Sequence, residues 1–218
     1  MQIRPYVDWL NDNGYLRPSN SIQRVVHGVQ GFSQPWLMAT IAEAVKLMGA
    51  HEYYLEIGSF LGRTLIGALV DNDHRALSID NFSQFNDKGE NESIFMKNLD
   101  KFEVRERVEF FKQDTQKWLG THEKYHGRVG VYFYDGNHQP DQGLEALEAA
   151  IPYFSNDAII FLDDVSGGGV WETQARFFEK YWRMVNPLFY MHTPNFPHGQ
   201  EHWHNGISVM HWHWHRMV

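Results

Sequence analysis

The chain has 218 residues, a formal net charge of −8, 43% hydrophobic, 21% charged and 15% aromatic residues, and no cysteine. That length and composition suit one folded domain with a substantial core and argue against two full domains. An acidic balance without a basic run disfavours nucleic acid or an anionic membrane as the main partner, and the lack of thiols rules out disulfides and thiolate metal sites. The first residues lack the apolar core of a signal peptide and no apolar run approaches a membrane span, which makes the cytoplasm the default compartment.

A polar, glycine-containing lead (Asn11 to Ser33) precedes a predicted helix over Gln34–Met48. The strand Tyr53–Ile57 and a helix over Arg63–Val70 follow, then a short strand Ala76–Ile79 ending on Asp80. Phe82–Asn91 is polar and reads as a loop before a helix near Glu92–Phe102. Val108–Lys112 is a strand leading to Asp114, with a short helix at Gln116–Leu119. Val129–Tyr134 is a strand ending on Asp135, Asp141–Ile151 a helix, and Ala158–Leu162 a strand ending on Asp163 and Asp164. A helix over Trp171–Trp182 and strands near Leu188–Met191 and Ile207–His215 complete the chain. Alternating strands and helices predict an α/β fold, with a mostly parallel, doubly wound sheet of seven strands and a C-terminal antiparallel hairpin. Four strands end on acidic residues, and in open α/β sheets the ligand crevice lies beyond the C-terminal strand ends.

Tyr53 to Thr64 carries the most information. The strand ends on Glu56, turns through Gly58, Ser59 and Gly62, and enters a helix near Thr64, so its pattern is Glu-x-Gly-x-x-x-Gly-x-Thr. Glycines let backbone approach a ligand closely, and a helix start presents free N–H groups. This is not the Gly-x-Gly-x-x-Gly of pyrophosphate binding. An acid just before the turn repels a pyrophosphate but suits an ammonium group, which points to a nucleoside carrying an amino acid.

This segment resembles the first motif of the class I S-adenosylmethionine-dependent methyltransferases. The resemblance implies a Rossmann-like catalytic core over residues 34–218 of a single domain, with residues 1–33 as its lead, and S-adenosylmethionine bound by Glu56, Gly58, Ser59, Gly62 and Thr64. It gives Asp80 to the ribose hydroxyls, Asp114 to the adenine amino group, and Asp135 to the cofactor as well. Residue chemistry alone leaves Asp80 as a surface acid and Asp114 as an ordinary helix N-cap.

Asp135-Gly-Asn-His138 and Asp163-Asp164 end successive strands. If those strands are neighbours, three carboxylates share one rim, at a cost in repulsion and desolvation that a divalent cation relieves. Oxygen ligands without cysteine favour Mg²⁺, Ca²⁺ or Mn²⁺ over zinc. The same residues resemble the metal-dependent O-methyltransferases of catechol and macrocin type, with Asn137 where an acid is common. That implies Asp135, Asp163 and Asp164 as metal ligands, a small-molecule hydroxyl such as a sugar or natural product as acceptor, and association between copies as in related enzymes. His138 is the candidate general base, since an imidazole titrates near neutral pH. A metal-independent methyltransferase and a non-catalytic cofactor-binding or scaffold protein stay open as alternatives.

Three segments have two readings each. Gly28–Ser33 either approaches the cofactor or merely connects. Ser166–Trp171, with three glycines, is either a mobile lid closing through Trp171 or a long turn. The run from His211 to His215 alternates with Trp212 and Trp214 in period two, with His198, His202 and His204 upstream. It offers either imidazole ligands for a transition metal or, preferred here, a strand packed on one face.

Overall fold

A computed structural model describes residues 4–8, 18–191 and 205–214. Its helices are α1 (Asn20–Gly28), α2 (Pro35–Lys46), α3 (Arg63–Leu69), α4 (Asn91–Lys101), α5 (Thr115–Leu119), α6 (Pro140–Ala150) and α7 (Gly168–Tyr181). The strands are β1 (Tyr53–Ile57), β2 (Arg75–Ile79), β3 (Val108–Phe111), β4 (Val129–Tyr134), β5 (Phe154–Asp163), β6 (Val185–Met191) and β7 (Ile207–His213). They form one seven-stranded sheet in the order β3-β2-β1-β4-β5-β7-β6. β1 to β5 pair in parallel, and β7 runs antiparallel to both β5 and β6, as the sequence predicts. The chain steps outward from β1 to β3 and then returns to place β4 on the other side of β1. That reversal opens a crevice at the C-terminal ends of β1 and β4.

Both faces of the sheet are covered, so β1 and β4 are buried along their whole length. Period-two alternation divides the core into two layers. Tyr54, Val131, Phe133, Ile159 and Phe161 pack under α1 to α4, while Leu55, Ile57, Tyr132, Ile160 and Leu162 pack with α5 to α7 on the other face.

Several elements differ from the sequence-based expectation. The lead contains α1, with Ser19 as N-cap accepting from the Ile22 N–H and Ile22 and Val25 buried one turn apart. β5 starts at Phe154, level with Val129 of β4, and the pairing of Asp157 with His213 of β7 carries the strand across polar positions that interrupt the apolar run. β6 includes Pro187, tolerated because this is the sheet's edge strand. The glycine run is no free lid: α7 begins at Gly168, inside it. A Cβ at Gly169 would lie 2.0 Å from the His138 carbonyl oxygen, so the glycine lets this helix press against the turn after β4. Trp171 packs on Tyr190, with ring centroids 5.5 Å apart, and does not line the cleft described below.

The histidine–tryptophan run follows the strand reading. Trp212 is fully buried against Phe154, Phe177 and Tyr181, while His211 and His213 share the opposite face. Burial pushes His211 below the ordinary imidazole range despite its contact with Asp157 at 3.1 Å. His198, His202, His204 and His215 lie outside the described residues. Among the described residues, no helix is long and apolar enough to cross a membrane.

α2 and α3 meet at Gly67, where a Cβ would lie 2.3 Å from the Met38 Sδ and 2.8 Å from its Cβ. Gly67→Ala should therefore lower stability by ~1–3 kcal/mol through overpacking, outweighing the roughly 1 kcal/mol gained in helix propensity. A thermal melt would show this as about 2–4 °C per kcal/mol; an unchanged or raised midpoint would contradict the packing account.

Candidate active site

A cleft of about 780 Å³ opens at the C-terminal rim, lined from the lead, the loops after β1, β2 and β3, and the ends of β4 and β5. Gly58, Ser59, Thr64, Asp80, Asp114, Asp135, His138, Asp163 and Asp164 all line it. Gly58 has φ +83°, and a Cβ there would sit 2.0 Å from the Asp135 carbonyl oxygen. Only glycine lets the loop after β1 lie this close to the end of β4. Gly62, at φ +86°, turns the same loop into α3 as its N-cap. It supports the loop from below and is not among the residues lining the cleft.

Asp80 joins two loops. Its Oδ2 accepts the Phe60 N–H at 2.7 Å and its Oδ1 the Phe82 N–H at 2.6 Å. Burial raises its pKa, and these two bonds partly oppose that rise. Each oxygen keeps a lone pair for a ligand hydroxyl. Asp114 caps α5, accepting from the Gln116 and Lys117 N–H groups, and remains at the cleft edge.

The acidic cluster follows from register. Glu56, Asp135 and Asp163 stand at alternate positions on or just past the neighbouring strands β1, β4 and β5, all toward the α1–α4 face. Glu56 departs from expectation: it is completely buried and does not line the cleft. Its Oε2 accepts the Tyr54 hydroxyl, Oε1 has no hydrogen-bond partner, and burial pushes its pKa up to about 8. The strand parity that buries Tyr54 also buries Glu56. Asp163 is held well above the ordinary carboxylate range by burial and then by Asp135 and Asp164.

Asp164 leaves the strand with φ +58°, its N–H bonded to the Asp163 Oδ1. This turn sends Asp164 to the cleft while Asp163 stays in the strand's alternation. His138 Nε2 lies 3.5 Å from the Asp135 Oδ1 and 3.4 Å from the Asp164 Oδ2. The hydrogen bond to Asp135 raises the His138 pKa against the effect of burial. Asp135 is raised too, by burial first, although its carboxylate opens to the cleft. Ligand atoms of Asp135, His138 and Asp164 all lie within 4.8 Å of one another, a group able to hold a cation. The structure thus brings His138 into the set predicted from Asp135, Asp163 and Asp164, with Asp163 behind it. Asn137 turns its Oδ1 to the Gln139 N–H, 2.8 Å away, at the start of α6.

Some cleft residues carry little signal in the sequence. Arg63 donates to the carbonyls of Val26, Val29 and Ser33, at 3.1, 2.7 and 3.2 Å, and so binds the lead to the loop after β1. Ser33 meets the Thr64 hydroxyl in the same corner. Phe32, Phe60 and Phe85, from three different loops, cluster at the mouth with ring centroids 5.9–6.0 Å apart.

A family model described as a methyltransferase domain matches residues 55–165, half of the chain, and the chain belongs to that family. No curated protein sequence matches it. Among solved structures, it is similar to an O-methyltransferase from Bacillus cereus in complex with S-adenosylhomocysteine, at 15% identity and a TM-score of 0.67, over 95% of this chain and 97% of that one. It is also similar to TomG from Streptomyces achromogenes, an O-methyltransferase involved in tomaymycin synthesis and solved with S-adenosylmethionine, at 16% identity and a TM-score of 0.67, over 98% and 100% of the two chains. The fold is that of the class I S-adenosylmethionine-dependent methyltransferases.

Glu56, Asp135, Asp163 and His138 all hold protons more tightly in the folded chain than in the unfolded one. Stability from such groups is present at low pH and is lost as pH rises through their folded values. Metal-free protein should therefore melt lower at pH 8 than at pH 6, and Glu56→Gln should flatten that slope, mainly by raising the midpoint at pH 8. Melts of chelated protein at both pH values decide this; a slope unchanged in the variant would mean that Glu56 does not titrate in this range.

Proposed function

We propose that this protein transfers the methyl group of S-adenosylmethionine to a hydroxyl oxygen of a small molecule, with a divalent cation at the rim of β4 and β5. The observation that carries this reading is the convergence of Asp135, His138 and Asp164 in the same cleft as the Gly58–Thr64 loop and Asp80. Asp80 would accept the ribose hydroxyls, and the glycine loop would lie against the rest of the donor. Asp114, at the cleft edge, would accept the adenine amino group. The carboxylates of Asp135 and Asp164 fit Mg²⁺ or Mn²⁺ as principal ligands, with Asp163 holding the Asp164 N–H beside them and the imidazole left free of the cation. A cation held there would lower the pKa of the acceptor hydroxyl and orient its oxygen.

His138 would take the hydroxyl proton at Nε2, where two carboxylates favour the imidazolium that results. As the oxygen–methyl bond forms, the sulfur–methyl bond breaks, and the donor leaves as S-adenosylhomocysteine. Positioning and exclusion of water by the closely packed loops supply the rest. Arg63, its guanidinium engaged by three carbonyls, is not available to an acceptor anion. This favours a neutral or cationic hydroxyl compound, such as a sugar or another natural product, over a phosphate ester.

One observation favours a metal-independent variant: protonated His138 itself puts a positive charge between Asp135 and Asp164. Chelation separates the two readings. Turnover over a panel of hydroxyl acceptors should fall at least about tenfold in chelator and return with Mg²⁺, and His138→Ala should lose ~100-fold or more in kcat. Asp80→Ala should weaken S-adenosylhomocysteine about tenfold in calorimetric titration, the usual worth of a hydrogen bond to a charged group. Full activity in chelator would select the metal-independent reading, and an active His138→Ala would remove the base.

A further inference from the structure

The side-chain contacts of His138 are too loose to fix its imidazole by themselves. Nε2 lies 3.5 Å from the Asp135 Oδ1 and 3.4 Å from the Asp164 Oδ2, longer than the roughly 2.7–2.9 Å of a close charge-assisted hydrogen bond. The side chain is also nearly half exposed, so the backbone that carries the ring has to set its place.

That backbone is sparsely held. Gly136, Asn137 and His138 fall between the end of β4 and the start of α6, and among the described residues their N–H and carbonyl groups make no backbone–backbone hydrogen bond. A side chain supplies what the backbone lacks: the Tyr134 hydroxyl donates to the Asn137 carbonyl at 3.0 Å. That carbonyl belongs to the peptide joining Asn137 to His138, and a peptide is planar, so fixing its oxygen fixes the direction of the His138 N–Cα bond. Tyr134 is the last residue of β4 and 3% exposed, with its ring against Gly136. A Cβ at Gly136 would lie 2.8 Å from the Tyr134 Cε2 and 3.0 Å from its oxygen, so only glycine lets the turn fold back over this ring. The Asn137 side chain is engaged as well, through the Gln139 N–H. On the other side, Gly169 brings the start of α7 against the His138 carbonyl. Tyr134 and α7 thus hold the peptides before and after His138.

We propose that Tyr134 is a positioning residue whose hydroxyl, through the Asn137 carbonyl, holds the His138 imidazole within reach of the acceptor oxygen. This rests on the base role given to His138 above, and a double-mutant cycle separates the two. Tyr134→Phe removes one oxygen and keeps the ring against the turn. With turnover followed by a labelled methyl donor, its kcat should fall about tenfold. Its acceptor KM and its calorimetric affinity for S-adenosylhomocysteine should stay within about twofold of the unaltered protein. In a His138→Ala background the same substitution should change the residual kcat by less than about twofold, because the hydroxyl acts only through the imidazole. An equal loss in both backgrounds, or weakened S-adenosylhomocysteine binding, would reveal a general disturbance of the cleft and overturn the assignment. An unchanged kcat in Tyr134→Phe, beside a large loss in His138→Ala, would overturn it while leaving the base in place. A fully active His138→Ala, or an unaltered protein that methylates no hydroxyl acceptor, would remove the reading above and this proposal with it.

Discussion

The parallel register of β1, β4 and β5 governs this molecule's chemistry. Ile57 stands level with Tyr134, and Tyr134 with Leu162, so the positions that follow, Gly58, Asp135 and Asp163, stand side by side at the strand ends. With a side-chain period of two, Glu56, Asp135 and Asp163 share one face. Like-charged carboxyls at that spacing, in a site short of water, cannot all ionise without a compensating cation. Burial first, and this mutual repulsion after it, raises the proton affinities of Glu56, Asp135 and Asp163. The same level ends bring the Asp135 carbonyl against Gly58, where no side chain fits.

Two local departures from regular geometry turn this acidic rim into a usable site. Asp164 adopts a left-handed backbone and turns its carboxylate out of the strand alternation that Asp163 follows. Gly169 lets the start of α7 close on the carbonyl of His138 and so fixes the turn carrying that imidazole. Neither feature stabilises the fold in an obvious way; a non-glycine residue at positive φ is uncommon and is retained where surrounding structure enforces it.

The opposite wall is built differently. Arg63, from the first turn of α3, gathers three carbonyls of the lead and thereby makes a preceding segment part of the cleft. Phe32, Phe60 and Phe85 meet across the loops the clamp and Asp80 hold. One wall therefore offers hydrogen-bond donors and aromatic surface, the other carboxylates.

Local rules exposed much of this in the chain itself. Continuous apolar runs punctuated by Gly58, Asp80, Asp135 and Asp163 reveal the strands and the rim at which they end, because strand burial and turn chemistry are written in neighbouring residues. The antiparallel hairpin and the packing of Trp212 follow from period-two alternation for the same reason. Polar positions defeated that reading where a partner strand sustains them, as at Asn156 and Asp157, and glycine composition concealed the start of α7. Which acids reach the cleft could be decided only in three dimensions. Glu56 sinks under Tyr54, Asp164 turns outward, and His138 slots between two carboxylates because those outcomes depend on strand register and on contacts between residues distant in the chain.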